Sequence, residues 1–593
     1  MRTRGLVCPR RTQLGRSIRW NSSSKPFYVT TPIFYPNASP HLGHLYSMLL
    51  ADTRVRWEKL DPKKSGYLLT GTDEHGLKIQ AAAEKAGIEP KELVDKVSDN
   101  FKVLAKKYNV DYDRFMRTTD DDHIKAVQYF WDLMMSKGLI LEGSHSGWYC
   151  VSDETFYPEN QIEEIIDEKT GQKKMISIES RNEVVFQEEE NYFFKLSQFQ
   201  DELLSFLEKN PTFILPQHRY NQVVNILKEA PLPDLSISRP SSRLKWSIEV
   251  PNDPSQKIYV WFDALLNYLT AASFPHFERQ GDKFITPVES PWPATHIIGK
   301  DIIKFHCIYW PIFLLAAGIE LPKKVVVHAH WLSDGFKMSK SLGNVVDPFE
   351  ILDHYGEDAV RFFLMENSNI QDDCKYREEL LHQSRESLIG KYANLISRCG
   401  NKAFNIRESV EFSNDGKFAG IDSLIKDYGI DKEQSESIIA ARNNLLASLD
   451  SLYANMDSKL DEFDHIRAIQ DWWTTLYYGN QVFQIAEPWS YSKLLKDDSI
   501  SVDEKEKYKH LQNYFVYLAA ETSRISSILI SPIIPTLSQK ILDRLNVSPE
   551  HRNAGFAKVG ADQEYGEGAN GKHHKMPIEK VKMRERNVEA EEK

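Results

Sequence analysis

One stretch near the beginning of the chain narrows the possible folds more than any other. Phe27-Tyr28-Val29-Thr30 reads as a short buried strand. A turn-rich segment with Pro32, Pro36, Asn37 and Pro40 follows. His41-Leu42-Gly43-His44 comes next, and residues 44–60 have helical character that ends before Pro62. Residues 66–71 form a second strand, and an Ala-rich helix near residues 78–86 stops at Gly87. Strand, helix, strand, helix is the repeating unit of a parallel α/β sheet.

That texture changes at about residue 121. Acidic runs such as Glu188-Glu189-Glu190 and the aromatic stretch Tyr192, Phe193, Phe194 mark an inserted subdomain over residues 121–235. Strand-like runs return with Lys257-Ile258-Tyr259-Val260-Trp261, His296-Ile297-Ile298-Gly299 and Val325-Val326-Val327. The order fits a nucleotide-binding fold split by an insertion, with halves at 25–120 and 236–375. Residues 376–547 turn helical. Ile438, Ala441, Leu445 and Leu449 form one core-facing stripe, and Leu511, Phe515, Leu518, Ile525 and Ile528 another. The tail over 548–593 is rich in Gly, Glu and Lys and reads as disordered.

Composition sets limits. No run of 18 or more apolar residues exists, so no membrane-spanning helix is expected. The net charge of −11 excludes bulk attraction to nucleic acid and leaves a local basic face as the route to RNA. Five cysteines, Cys8, Cys150, Cys307, Cys374 and Cys399, contain no C-x-x-C pair, which argues against a disulfide framework. Residues 1–24 hold Arg2, Arg4, Arg10, Arg11, Arg16 and Arg19, several serines and no acid; the first acidic residue is Asp52. This is the composition of an organelle transit peptide, which would direct the chain to the mitochondrial matrix; the bland alternatives are an unstructured basic tail or a basic arm for RNA.

Two motifs carry chemistry. His41-Leu42-Gly43-His44 stands at a strand-to-helix junction, where a helix N-terminus favours phosphate and Gly43 would let a nucleotide approach the backbone. Lys337-Met338-Ser339-Lys340-Ser341 follows the 325–327 strand, preceded by Asp334 and Gly335 and followed by Gly343. Two ammonium groups on such a loop can fold over a triphosphate and stabilise leaving pyrophosphate. Taken singly, each motif has a bland reading as a chance histidine pair or a solvated basic loop.

Together, the two motifs resemble the paired signatures of class I aminoacyl-tRNA synthetases. Thr30-Thr31-Pro32-Ile33-Phe34-Tyr35, Thr70-Gly71-Thr72-Asp73-Glu74-His75-Gly76, Tyr259-Val260-Trp261-Phe262-Asp263-Ala264 and Ile298-Gly299-Lys300-Asp301-Ile302 look like blocks of methionyl-tRNA synthetases of the bacterial and organellar type. The resemblance covers residues 27–540. It implies a Rossmann-type parallel-sheet catalytic domain split by a connective subdomain and followed by an α-helical bundle that binds the anticodon. It implies activation of methionine by ATP with Mg²⁺, then transfer to tRNA(Met), with His41, His44, Lys337 and Lys340 stabilising charge. Gly43, Gly299, Lys300, Asp301 and the backbone near Trp331 would line the nucleotide site.

The resemblance also implies a methionine pocket of Ile33, Tyr35, Trp261, Ala264, Leu265, Tyr268, Ile302 and His306, with Asp73 on the α-ammonium group. An apolar aromatic cage with one or two polar tips suits a thioether, whose sulfur accepts hydrogen bonds weakly. Tyr268 and His306 are the candidate tips. Asn394, Arg398 and Trp489 match the anticodon-contacting positions, and Asn394 and Arg398, four apart, share a helix face. Two departures stand out. The inserted subdomain has one cysteine, Cys150, where many relatives carry zinc knuckles, so no structural zinc is expected. Nothing after 548 suggests a dimerising domain, so a monomer is expected. The insertion, about 110 residues, is small for an editing domain of the kind that relatives specific for Ile, Val and Leu carry. A synthetase for another aliphatic amino acid, a catalytically silent RNA-binding relative and a small-molecule nucleotidylyltransferase remain the rival readings.

Overall fold

The structure is a computed structural model that describes residues 25–150, 155–157, 159–166, 173–178, 180–333, 336–338, 345–571 and 576–584. The expected presequence and Lys340 fall outside these residues.

Six strands build the central sheet: β1 (Phe27–Phe34), β2 (Gly66–Thr72), β3 (Arg114–Arg117), β4 (Ile214–Leu215), β5 (Thr295–Gly299) and β6 (Lys324–His328). Their order is β3-β2-β1-β5-β6-β4, and every neighbour pair is parallel. Both faces are covered, as a parallel sheet requires. Val29, Leu68, Ile297 and Val326 face one apolar cluster; Tyr28, Leu69, Ile298, Val325 and Val327 face the other. The alternation follows from the two-residue period of a strand. Chain order reverses between β1 and β5, so the crevice beyond their C-terminal ends is the topological switch point where such sheets bind ligands.

Within β1 the pairing with β2 shifts register between Thr30 and Ile33. Pro32, which has no N–H for the ladder, sits in that interval. The irregularity re-aims the end of the strand at the crevice. Helix α1 (Leu42–Lys59) then leaves the crevice and buries Leu42, Leu45, Met48, Leu49 and Leu50 under the sheet. Asp52, fully buried on α1, accepts from Arg361 Nη2 at 2.6 Å, Arg56 Nε at 2.8 Å and the Asp111 N–H at 2.8 Å. Arg361 also donates to the carbonyls of Tyr108 and Ile533, so this buried pair links the catalytic sheet to the helical region.

That helical region is built on α2 (Ser435–Asp461), α3 (His465–Ile485) and α4 (Val502–Ile530). Both expected stripes are buried, from Ile438 to Leu449 and from Leu511 to Ile528. Ser501 and Glu504 close a capping box at the start of α4.

Three boundaries differ from the sequence reading. From the sequence, the helix Asp121–Ser136 falls in the insertion; its Phe130 and Trp131 pack on Phe262 of the catalytic half while Trp131 also meets Tyr192 of the insertion, so the helix bridges the two. β4 falls in the expected insertion too, but it pairs with β6 at the sheet edge. The antiparallel insertion proper centres on Ile140–Cys150 and its partner Val185–Phe194. The third difference is the tail. Residues 548–571 are folded against α4: Tyr565 and Ala569 are buried, and Arg524 donates to the carbonyls of Phe556 and Lys558. Farther on, Arg584 reaches Glu378 and Glu350 at 3.0 Å each. Average polarity hid these few anchoring contacts.

Candidate active site

His41 is the N-cap residue of α1, with extended backbone at φ −127° and ψ 177°. The Gly43 N–H donates to its Nδ1 at 3.0 Å, and the His41 N–H donates to His44 Nδ1 at 3.0 Å. The two rings stack with centroids 3.7 Å apart. Phe34 and Phe101 hold the His44 ring edge-on at 5.1 and 5.2 Å. Because both Nδ1 atoms accept from the backbone, each neutral ring carries its proton on Nε2. The helix end therefore presents two oriented imidazole donors. This differs from the expectation of bare helix amides, because the histidines take two of those N–H groups. It also gives Gly43 another reason: a Cβ there would lie 2.9 Å from His41 Cε1 and 3.1 Å from its Nδ1.

Across the crevice, Gly299 ends β5 and Lys300, Asp301 and Ile302 form a short 3₁₀ turn. A Cβ on Gly299 would meet Asp301 Oδ1 at 2.6 Å, so glycine makes room for that carboxylate. His330 Nε2 lies 3.3 Å from the same oxygen. Lys300 Nζ pairs with Asp373 at 2.7 and 2.8 Å, and Asp373 also accepts the His330 N–H at 2.9 Å. His328, at the end of β6, lies 2.8 Å from Ser47 Oγ of α1 through Nε2; burial drops its pKa to about 4. The Trp331 ring is 3% exposed and packs against Tyr46 and Phe363, so the ring serves the core. The neighbouring strand bonds to the His330 and Leu332 carbonyls, which turns the Trp331 backbone to the other side. Lys337 lies on the short strand Phe336–Lys337, and Met338 is buried.

The methionine-pocket candidates converge on the same crevice. Asp73 is 2% exposed, and its N–H donates to the Phe34 carbonyl at 2.9 Å. Trp261, Ala264 and Leu265 come from the helix Val260–Leu265, and Tyr268 from the next turn. Trp261 stacks on Phe305 at 3.5 Å and meets Tyr35 edge-on at 6.5 Å. Ile33 and Ile302 are half-buried against the same cluster. His306 Nδ1 lies 3.1 Å from the Ile302 carbonyl, which fixes the proton there, and Tyr268 Oη, 2.7 Å from Nε2, donates. Burial drops the His306 pKa to about 4 and raises the Tyr268 phenol well above its usual value. The pocket thus carries no charge at its polar end, which suits a thioether.

Several neighbours were not singled out from the sequence. Phe305 begins a π-helical turn, Phe305–Tyr309, and no regular periodicity predicts its stacking on Trp261. Glu74 is a buried hub that accepts from Thr72, Ser98, Thr119 and both arms of Arg117 at 2.6–2.9 Å. Trp246 Nε1 donates to the Glu74 carbonyl, and the Gly76 N–H donates to the Trp246 carbonyl. His296 is gripped between Thr30 Oγ1 at 2.8 Å and Trp310 Nε1 at 3.1 Å.

The third set lies elsewhere. Arg398, on the helix Asn394–Cys399, lies over the rings of Phe483 and Trp489 at 5.0 and 5.6 Å and donates to Gln484 Oε1 at 2.8 Å. Trp489 follows Glu487, whose φ of 44° is left-handed, and Pro488. Asn394 is half-buried four residues before Arg398. Among the described residues, no group of three His, Cys, Asp or Glu is arranged to hold a metal ion. Cys150 is buried at the end of its strand.

Comparison with known proteins gives one direction. A family model described as tRNA synthetases class I (M) matches residues 27–400. The mitochondrial methionine–tRNA ligase of Candida albicans is 63% identical over 564 residues, covering 95% of this chain and 97% of its own length. That of Saccharomyces cerevisiae is 44% identical, with 96% and 98% covered. The Mycobacterium tuberculosis methionyl-tRNA synthetase bound by methionyl-adenylate superposes with a TM-score of 0.76 at 36% identity, over 90% of this chain and 97% of that one.

Proposed function

This chain belongs to the class I methionyl-tRNA synthetases, and from that premise we propose how its own residues perform the reaction. It is a mitochondrial methionine–tRNA ligase that uses ATP to activate methionine. The observation that carries the residue assignment is the pair of stacked imidazoles at the switch-point crevice. Their Nδ1 atoms accept from the backbone, which puts the proton of each neutral ring on Nε2, the donor proposed for an α-phosphate.

Methionine binds with its α-ammonium group on Asp73 and its side chain between Tyr35, Trp261, Ala264, Leu265 and the Tyr268–His306 pair. Ile33 and Ile302 close the apolar sides. Its carboxylate oxygen attacks the α-phosphorus of ATP; the new O–P bond forms as the bond to the β-phosphate oxygen breaks, and pyrophosphate leaves. No protein nucleophile is needed, and positioning with charge stabilisation lowers the barrier. His41 and His44 donate to the α-phosphate, Lys337 and Lys340 neutralise pyrophosphate, and Asp301 accepts from a ribose hydroxyl. Mg²⁺, held mainly by the triphosphate oxygens and water, would supply further positive charge to the departing pyrophosphate. A ribose hydroxyl of tRNA(Met) then attacks the carbonyl carbon of the adenylate and releases AMP. Arg398, Trp489 and Asn394 read the anticodon by stacking and edge contacts. The working assembly is a monomer, which sedimentation velocity measures directly.

The test is amino-acid-dependent ATP–pyrophosphate exchange by the chain from residue 25, with isoleucine, leucine and valine as controls. Exchange with methionine alone is expected. Exchange with another amino acid would overturn the pocket, and folded protein without exchange would overturn the catalytic assignment.

A further inference from the structure

Asp263 is fully buried on the same short helix that supplies Trp261, Ala264 and Leu265 to the pocket. Its two carboxylate oxygens reach two other elements. Oδ2 lies 2.6 Å from Nδ1 of His75, two residues after Asp73 in the loop that follows β2. Oδ1 lies 2.7 Å from Nε2 of His123, in the first turn of the helix Asp121–Ser136. His123 Nδ1 is 3.1 Å from Thr270 Oγ1, and that hydroxyl lies 3.0 Å from the Leu266 carbonyl. One carboxylate therefore joins the Asp73 loop, the Trp261 helix and the helix beneath them.

Burial by itself would raise the Asp263 carboxyl. The two facing imidazoles hold it below the ordinary carboxylate range, so it stays ionised. An ionised side chain inside an apolar cluster adds little to net stability compared with a well-packed apolar residue, whereas its hydrogen bonds fix geometry. Methionine must meet Asp73 with its ammonium group and Trp261 with its thioether at the same time. A misplacement of about 1 Å at such a site costs roughly 100-fold in rate.

We propose that Asp263, with His75 and His123, is a positioning device that sets the separation between the Asp73 loop and the Trp261 helix and so governs methionine binding. The proposal rests on the assignment of Asp73 and Trp261 to the methionine site. None of the three residues is a catalytic residue; they act through Asp73 and Trp261.

The experiment measures KM for methionine, KM for ATP and kcat in pyrophosphate exchange, with Tm alongside, for D263N, H75L, H75N and D73N. D263N removes the charge from both hydrogen bonds and H75L removes one of them, and each is expected to raise the methionine KM about 10- to 100-fold. The ATP KM stays near that of the parent. H75N, whose side-chain amide nitrogen can stand in for Nδ1, restores most of the methionine affinity. If D263N does not fold, the contrast between H75L and H75N decides alone. An unchanged methionine KM in H75L overturns the proposal. So does a parallel rise of both KM values that tracks a lowered Tm, since that marks a purely structural element. D73N separates the two readings. If D73N leaves the methionine KM unchanged, the site assignment falls and the inference with it. If D73N raises that KM while D263N and H75L do not, the inference alone fails.

Discussion

The proposed methionine pocket and the proposed anticodon face would solve recognition by opposite means. In the proposed pocket the polar tip and its support are engaged before a ligand arrives: Tyr268 with His306, His306 with Ile302, and Asp263 with two imidazoles. At the anticodon face, half-buried Arg398 rests on Phe483 and Trp489 with one side-chain hydrogen bond to Gln484. Stacked rings and a guanidinium plane can exchange one another for a base at small cost. On this proposal the buried pocket would select a small, nearly featureless side chain by fixed shape, while the face would rearrange for a flexible RNA loop. The difference teaches that rigidity is placed where the ligand offers few hydrogen bonds.

The sharpest test of the rigid side is its phosphate end. In H41N the asparagine still caps α1, because Asn is a strong N-cap residue, while the Nε2 donor disappears. The expected loss in kcat for exchange is about 10²- to 10³-fold, with Tm unchanged. If Tm falls and kcat does not, the stacked histidines are caps and no more, and the comparison loses its catalytic half.

Acid should separate the two regions. Burial holds His306, His328 and His465 at about 4, and His296 well below its ordinary value of 6.5. Their folded-state values lie below those of the unfolded chain, so the unfolded state binds more protons as pH drops. Stability is full above pH 6.5 and declines through the window down to about 4, by up to about 3 kcal/mol for each of His306, His328 and His465, and His296 adds in the same direction. His296, His306 and His328 belong to the catalytic half, while His465 begins α3. Asp358, at the junction, runs the other way: burial raises it to about 6, so it favours the fold as pH falls through that value. Methionine protection of tryptophan fluorescence should therefore vanish at higher pH than helical circular dichroism. Coincident loss would show one cooperative unit and erase the contrast.

Much of this was legible in the sequence. β1, α1 and β2 announce themselves because Pro32, Gly43 and Pro62 punctuate apolar runs of the right length. The pocket residues were legible as blocks, since Ile33 or Leu265 alone looks like ordinary core. What escaped depends on contacts distant in sequence. β4 is two residues long and is a strand only because Val325 and Val326 lie beside it. Phe305 finds Trp261 through a π-turn, and Asp263 finds His75 across 188 residues. The folded tail escaped because Tyr565 and Arg584 act singly within a polar segment.

The adaptable face gives a smaller expected effect. R398A and W489A should lower kcat/KM for aminoacylation about 10- to 100-fold, the loss of one stacking platform. Exchange without tRNA should not change. N394A should fall below either. A matching loss of exchange would mean that this face is coupled rigidly to the crevice, and the two regions would no longer contrast.

The smallest effect belongs to the tail, which tests whether a third behaviour exists between rigid and adaptable. The Arg584 N–H meets the Tyr355 hydroxyl at 3.0 Å, and its guanidinium bridges Glu378 and Glu350. Glu378 starts the helix that leaves the catalytic half, and Glu350 sits on the helix Pro348–Tyr355. The contact therefore spans the boundary: the Glu350 side chain is 69% exposed, so water screens that pair, whereas the Glu378 side chain is 7% exposed and its pair with Arg584 is shielded. Deleting residues 576–593 should lower Tm by a few degrees, about 2–4 °C, and 1 M salt should erase only the part that the exposed Glu350 pair contributes. Exchange should be unchanged, because the hydrogen bonds of the described residues 576–584 go to Ser397, His354, Tyr355, Glu350 and Glu378, outside the proposed pocket. A shift several times larger, insensitive to salt, would instead make the tail a structural strap. The two halves would then have to be treated as one body in every comparison above.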